Sequence, residues 1–175
     1  GYFLANPLRR LVNNPTTILR RFVSDGMTVV EPGPGMGFFT MELARLVGRP
    51  GRVVAIDVQP KMLVELRRRA AKAGLLDRID VRQGPGEGMG LDDLKGQVDF
   101  VLAFAVVHEL PSAGRFFAEV STVLKSGRRL LVAEPRFQVS EQEFAATLQM
   151  ADQNGLRVDS RPAIRWTRSA ALVKI

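Results

Sequence analysis

Val29-Val30-Glu31-Pro32-Gly33-Pro34-Gly35-Met36-Gly37 decides how this chain is read, because it joins the end of an apolar run to a carboxylate and three alternating glycines. A helix-like stretch over 38–47 follows at once. Glycines so spaced let backbone approach a ligand closely, and the helix behind them aims N–H groups at the ligand's anionic end. The stretch reads as a nucleotide-cofactor loop. A dinucleotide loop, G-x-G-x-x-G, would need glycine at 38 or at 40, where this chain has Phe38 and Thr40. A pyrophosphate would also meet the Glu31 carboxylate just ahead of the first glycine, and like charges repel. A ligand carrying an ammonium group would be drawn to that carboxylate.

S-adenosylmethionine has that charge pattern: a sulfonium and an α-ammonium beside one carboxylate. Its ribose hydroxyls need an acceptor. Arg52-Val53-Val54-Ala55-Ile56-Asp57 ends in one, close to the ~20-residue spacing at which the second strand of a βαβ unit sets a carboxylate on a ribose. The pair EPGPGMG (31–37) and VVAIDVQPKML (53–63) resembles motifs I and II of the class I S-adenosylmethionine-dependent methyltransferases, and the likeness runs over nearly the whole chain. The resemblance implies S-adenosylmethionine as cofactor and S-adenosylhomocysteine as product. It also implies a Rossmann-like, doubly wound α/β fold whose mostly parallel seven-stranded sheet ends in an antiparallel strand.

Composition narrows the rest. One hundred and seventy-five residues, 46% of them hydrophobic, make one domain of ordinary size. We expect a single S-adenosylmethionine-binding domain over 27–175, with 1–26 as a helical segment packing on it. The first residue is Gly1, which leaves open an extension ahead of it. No apolar run reaches the ~18 residues of a membrane span and the start lacks a signal-peptide layout, so the expectation is a soluble, cytoplasmic protein. The absence of cysteine removes disulfides, thiolate metal sites and cysteine nucleophiles, and the lone His108 argues against a transition-metal centre. With 25 basic and 18 acidic residues the net charge is +7. Arg67, Arg68, Arg69 and Lys72 share one helix with Glu65 and read as a solvated basic face ahead of a nucleic-acid patch, no aromatic interleaving accompanying the basic residues. A nucleic-acid partner is therefore the less favoured reading, and the oligomeric state is left open.

Strand-like and helix-like runs alternate at short intervals, as in a parallel α/β sheet. Strands are expected over 27–31, 52–57, 79–82, 98–104 and 129–134. Helices are expected over 38–47, from Pro60 to a stop at Gly74, from a Ser112 cap through Leu124, and from the capping box Ser140-Glu141-Gln142-Glu143 to Gly155. Residues 83–91, with four glycines, form a loop. The tail reads as two strands over 156–161 and 170–175 with no room for a helix between them, hence a hairpin. Ahead of the core, Asn14-Pro15 starts a helix to about Val23, preceded by the segment 8–12; in similar proteins such a segment covers the cofactor or gates the substrate.

Ligands of open α/β sheets bind beyond the carboxyl ends of the strands, where this chain places Glu31, Asp57 and Glu134. We assign Glu31 to the methionine ammonium, Asp57 to the ribose diol, and Gly33, Pro34, Gly35 and Gly37 to the close backbone approach. Val58 and Met62 wall the adenine on one side and Gly84, Pro85 and Gly86 on the other, although Met62 reads equally as helix core. The acid that family members often carry near Pro85 is displaced here to Glu87. Glu134 meets the substrate or fixes the next loop; both readings stand. Phe104, ending the fourth strand, completes the cofactor set, and Phe104-Ala105-Val106-Val107 lacks the Asp/Asn-Pro-Pro-aromatic signature of amino-methylating nucleic-acid enzymes. Metal-dependent catechol-type, cytosine-C5 and arsenite enzymes need metal ligands or cysteines that the chain lacks. What remains resembles the small-molecule methyltransferases of ubiquinone and menaquinone biosynthesis. His108, the candidate catalytic base at the pocket lip, has a competing reading as a residue that packs or caps the next helix. Methyl transfer from a sulfonium asks mainly for alignment and exclusion of water. An RNA or protein acceptor reached through the basic surface, or a non-catalytic cofactor-binding subunit, are the alternatives to a small-molecule acceptor.

Overall fold

Two runs of apolar, largely β-branched residues, buried almost without interruption, make β1 (Thr28–Pro32) and β2 (Arg52–Asp57); burial on both faces marks interior parallel strands. The computed structural model, which describes residues 14–175, pairs them in parallel, Val29 opposite Val53 and Pro32 opposite Ile56. β3 (Ile79–Gln83) lies along the far side of β2, with Asp57 opposite Gln83. The crossovers are α2 (Phe38–Val47), which buries Phe39, Leu43, Ala44 and Val47, and α3 (Pro60–Lys72), which buries Leu63, Leu66 and Ala70. That spacing of three and four residues is the single apolar stripe of a helix laid on a sheet. Proline in the first turn starts α3, and Gly74, at φ 70°, leads the chain away from it. A short α1 (Pro15–Leu19) is capped by the Asn14 side chain and tied to α2 by the Thr16 hydroxyl, which donates to Glu42 at 2.7 Å. These elements form one compact unit that ends at Glu87.

The second unit, Gly88–Ile175, is built on β4 (Val98–Phe104), buried at all seven residues, and on β5 (Leu124–Pro135), parallel to it. α4 (Ala113–Val123) starts at Ser112, whose hydroxyl accepts from the Arg115 N–H, and α5 (Glu141–Asp152) starts at the expected capping box of Ser140 and Glu143. β6 (Leu156–Ser160) and β7 (Thr167–Lys174) form the expected hairpin, with β7 antiparallel both to β6 and to β5. The full strand order is β3-β2-β1-β4-β5-β7-β6, a mostly parallel seven-stranded sheet with its last strand reversed.

Several boundaries differ from the sequence expectation. β5 begins at Leu124, which pairs with Val98 ahead of an irregularity in the ladder, so the exposed Lys-Ser-Gly-Arg stretch 125–128 belongs to a strand although nothing apolar marks it. β7 begins at Thr167, not at 170, because Pro135, Glu134 and Ala133 supply partners for Thr167 and for Arg168 and Ser169, which carry little strand signal of their own. α1 stops at Leu19, and a turn in which the Phe22 and Val23 N–H groups both donate to the Leu19 carbonyl replaces the expected last helical turn. The expected segment 8–12 lies outside the described residues.

Gly51 closes the α2–β2 connection under a tight constraint, since a Cβ there would fall 2.5 Å from the Val47 carbonyl oxygen and 2.7 Å from that of Met27. Backbone cannot yield as a side-chain tip can. Gly51→Ala is expected to lower stability by about 1–3 kcal/mol through overpacking. Gly74→Ala has open space and only its left-handed φ to bear, at a cost of about 1 kcal/mol. Urea denaturation of the two variants checks the order.

Candidate functional site

Because β1, β2 and β3 are parallel, their carboxyl ends share one edge, and the first unit sets its carboxylates there. Glu31 is 3% exposed and accepts the Thr40 hydroxyl at 2.5 Å. The chain leaves β1 through Gly33, Gly35 and Gly37, all at left-handed φ of 64°, 58° and 89°, with Pro34 inside the turn. The Gly33 N–H donates to the Ile56 carbonyl at 2.8 Å and the Gly37 N–H to the Pro34 carbonyl at 3.0 Å, which pins the loop to β2 and folds it on itself. Gly37 is also the N-cap of α2, and having no side chain it leaves the amides of the first turn uncovered by any cap group. A Cβ at Gly37 would lie 2.6 Å from Leu66 Cδ1.

Asp57 ends β2 with its carboxylate mostly buried, and the Gln59 N–H donates to its Oδ1 at 2.9 Å, an Asx turn that fixes the side chain at the sheet edge. Val58, next in line, is 57% exposed. Met62 is half-buried in the first turn of α3. Gly84 donates its N–H to the Asp57 carbonyl at 2.9 Å and lies so close to Ile56 and Val58 that a Cβ would touch both, at 3.3 and 3.4 Å. Pro85 and Gly86 follow it, exposed. One edge thus gathers Glu31, the glycine loop, Asp57, Val58 and Gly84. Two carboxylates, a chain of approachable backbone and an uncapped helix start suit a ligand with an ammonium, a diol and a carboxylate, and do not suit a pyrophosphate.

In the second unit Phe104 closes β4, and Ala105 turns the chain at φ 55°, a left-handed conformation unusual for alanine, held by its N–H to the Ala133 carbonyl at 2.7 Å. The turn brings Val107–Glu109 against Glu134, which is 1% exposed. One Glu134 oxygen accepts the Val107 N–H at 3.0 Å, and the other accepts Nδ1–H of His108. Nε2 of His108 stands 3.9 Å from the Glu109 carboxylate. The bond to Glu134 raises the His108 pKa above its ordinary value; burial opposes this, and the charges of Glu134 and Glu109 and a hydrogen bond with Gln138 add to the rise. Capping of α4 falls to Ser112, so His108 does not cap the next helix.

Sequence reading missed the Thr40–Glu31 bond, for which Thr40 carried no signal beyond its place in α2. It also missed the pairing of His108 with Glu134. That one was accessible: parallel β4 and β5 with Phe104 opposite Ala133 put Glu134 beside the turn that His108 occupies. Among the described residues no cluster of side chains could hold a metal ion, and no helix is long and apolar enough to cross a membrane.

A family model described as a methyltransferase domain matches residues 23–166, and the chain belongs to that family. Its fold is that of the class I S-adenosylmethionine-dependent methyltransferases. A ubiquinone/menaquinone biosynthesis C-methyltransferase of Marinomonas sp. (strain MWYL1) is 29% identical over 142 residues, 81% of this chain and 54% of that protein. An arsenite methyltransferase of Halobacterium salinarum is 30% identical over 112 residues, 64% of this chain and 28% of that protein. The chain thus spans about half, or less, of the length of the curated relatives it matches. The crystal structure of a SAM-dependent methyltransferase from Aquifex aeolicus superposes with a TM-score of 0.85 at 27% identity, covering 97% of this chain and 94% of that one.

His108 is the only histidine, so its ring gives a single titrating signal in proton NMR. That signal is expected to titrate above the ordinary ~6.5 and to move down in Glu134→Gln, which keeps an acceptor for the Val107 N–H but removes the charge. A folded-state pKa above the unfolded one means the pair's stabilisation is complete below the unfolded pKa and is lost as pH rises through the folded one. Thermal melts across that window should fall for the parent and stay flatter for the variant.

Proposed function

We propose that the chain transfers a methyl group from S-adenosylmethionine to a small-molecule acceptor. The observation that carries this reading is the edge where Glu31 and Asp57 flank a loop with three left-handed glycines at the ends of adjacent parallel strands. Asp57 would hold the ribose hydroxyls and Glu31, steadied by Thr40, the ammonium. Gly33, Pro34, Gly35 and Gly37 would give the backbone approach, and Val58, Met62, Gly84, Pro85, Gly86 and Phe104 the apolar surroundings. When bound, the cofactor supplies a methyl group on an electrophilic sulfonium. The protein's share is to align the acceptor behind that carbon and to keep water out.

His108 adds a proton site. With Nδ1 engaged by Glu134, the ring offers Nε2 alone, and the neutral ring can take one proton there from an acceptor hydroxyl or acidic carbon. A pKa moved upward makes this base stronger and leaves less of it unprotonated at neutral pH. The quinone and arsenite names of the relatives favour a small acceptor. This chain has no cysteine thiolate with which to hold a soft arsenic centre, so a carbon, oxygen or nitrogen nucleophile is preferred.

Calorimetry and thermal shift test the cofactor: S-adenosylhomocysteine is expected to bind and raise the melting temperature while NAD does neither, and the opposite pattern would overturn the proposal. Asp57→Ala is expected to weaken cofactor binding by about 2 kcal/mol or more, since two hydroxyls lose a charged acceptor. His108→Asn should leave cofactor affinity intact. With an acceptor in hand, loss of ~10²-fold in turnover together with the acid limb of the rate profile would establish proton removal by His108, and a small effect would assign the work to alignment.

A further inference from the structure

The basic residues of α3 are largely spent within the first unit. Arg68 and Arg69 both bond to Glu65, at 2.7 and 3.2 Å, and Arg67 donates to the Val81 carbonyl. The second unit carries a different arrangement. Arg136 and Phe137 sit on the turn after β5, and Arg161, Arg165, Trp166 and Arg168 on and beside the β6–β7 connection. The Arg136 N–H donates to the Trp166 carbonyl at 3.0 Å, and Pro135 stands opposite Thr167, so the two connections are laced together. Phe137 is 65% and Trp166 59% exposed, and the Arg165 guanidinium lies 5.5 Å from the centre of the Trp166 ring. Arg136 and Arg168 spend Nε on the Thr167 and Val139 carbonyls, which fixes the side chains and leaves their other N–H groups to other uses. Among the described residues no carboxylate lies within ion-pair distance of Arg136, Arg161, Arg165 or Arg168. The aromatic interleaving missing from α3 is therefore present here, in Arg136-Phe137 and Arg165-Trp166.

Trp166 has a second peculiarity. Its φ is 64°, a conformation that a bulky side chain adopts at a cost, and one that persists only when its surroundings hold it. The Ile164 carbonyl, accepting both the N–H and the hydroxyl of Thr167, and the bond from Arg136 hold it. Glycine or asparagine would take this conformation without penalty. The chain instead carries its one tryptophan there, turned outward.

We propose that this face, with Phe137 and Trp166 as stacking platforms among four arginines that no carboxylate neutralises, binds single-stranded RNA. Unstacked bases offer π-faces that exposed aromatic rings can stack on, and the phosphates between them suit planar guanidinium forks. Exposed Ser160 adds a neutral hydrogen-bonding group of the kind a ribose 2′-hydroxyl engages. An anionic membrane fits less well: the two rings stand on short connections with no amphipathic helix, while stable anchoring takes a broad apolar face or a second signal. The surface adjoins the methyl-transfer site along the chain, Arg136 following Glu134 by two residues, yet binding to it requires no cofactor. Its test is therefore separate from that of the methyltransferase reading.

Anisotropy of a labelled oligouridylate of about 12 nucleotides, titrated without cofactor from ~50 to ~200 mM salt, reads the binding. Saturable binding is expected, with a log-log salt slope of about −0.7 per phosphate contacted. Phe137→Ala and Trp166→Gly are each expected to weaken it about tenfold with the slope unchanged, and Arg165→Gln to make the slope shallower by about 0.7. Trp166→Gly should keep or raise the melting temperature, which separates lost stacking from lost fold. Arg67→Gln on α3 serves as the control and should bind as the parent does. Unchanged affinity in the Phe137 and Trp166 variants overturns the proposal. So does equal or tighter binding of the matching oligodeoxynucleotide, or Trp166-dependent binding to phosphatidylglycerol vesicles without binding to RNA.

Discussion

The hydrogen-bonded ladder between β1 and β2 is the constraint on which the candidate cofactor site depends. It extends one step past the strands, where the Gly33 N–H reaches the Ile56 carbonyl, so the glycine loop begins at a point set by the sheet. The same ladder brings Glu31 opposite Ala55, two residues before Asp57. A slip by one residue would turn every side chain of β1 to the opposite face, taking the buried Glu31 carboxylate away from the Thr40 hydroxyl that donates to it. Uninterrupted burial of both strands makes that slip costly. Loop geometry and carboxylate placement are in this sense consequences of packing.

The second unit uses burial for another purpose. Glu134 has almost no contact with solvent, and both of its oxygens are occupied by groups from one turn, the Val107 N–H and the His108 ring. A carboxylate so enclosed acts as a fixed point. It sets the tautomer and direction of the imidazole, while the left-handed Ala105 lets the chain reach it at the cost of some backbone strain. Its charge is thus what holds the proton on Nδ1, while its second oxygen holds the turn through the Val107 N–H.

Much of this was legible in the sequence. Apolar runs punctuated by Gly48, Gly74 and the Ser112 and Ser140 caps gave the strand and helix order, because each signal is local: a cap bonds its own first turn, and a glycine breaks its own helix. The loop and Asp57 were legible because spacing along one βαβ unit translates directly into position on one sheet edge. The weak points were the places where a partner distant in the chain decides. Leu124 at the start of β5 and Thr167 at the start of β7 are strand residues through what they pair with, and their own chemistry says little. His108 and Glu134 each stand out in the sequence, but their bond exists only once β4 and β5 lie side by side. Trp166, a single exposed aromatic in a connection, carries no periodic signal.

The position of β7 has a consequence for how the protein is made. β7 lies between β5 and β6, both of which precede it in the chain. While a ribosome is still delivering Thr167–Lys174, β5 has an open edge and β6 has nothing to pair with, so the outer half of the sheet cannot close in order of synthesis. The long ladder of β5, seven registered pairs from Arg129 to Pro135, waits for a strand that arrives afterwards. Nascent chains of this protein therefore pass through a stage in which an apolar strand edge faces the cell, and the interval before β7 emerges is the one in which a chaperone, or a neighbouring nascent chain, would find it.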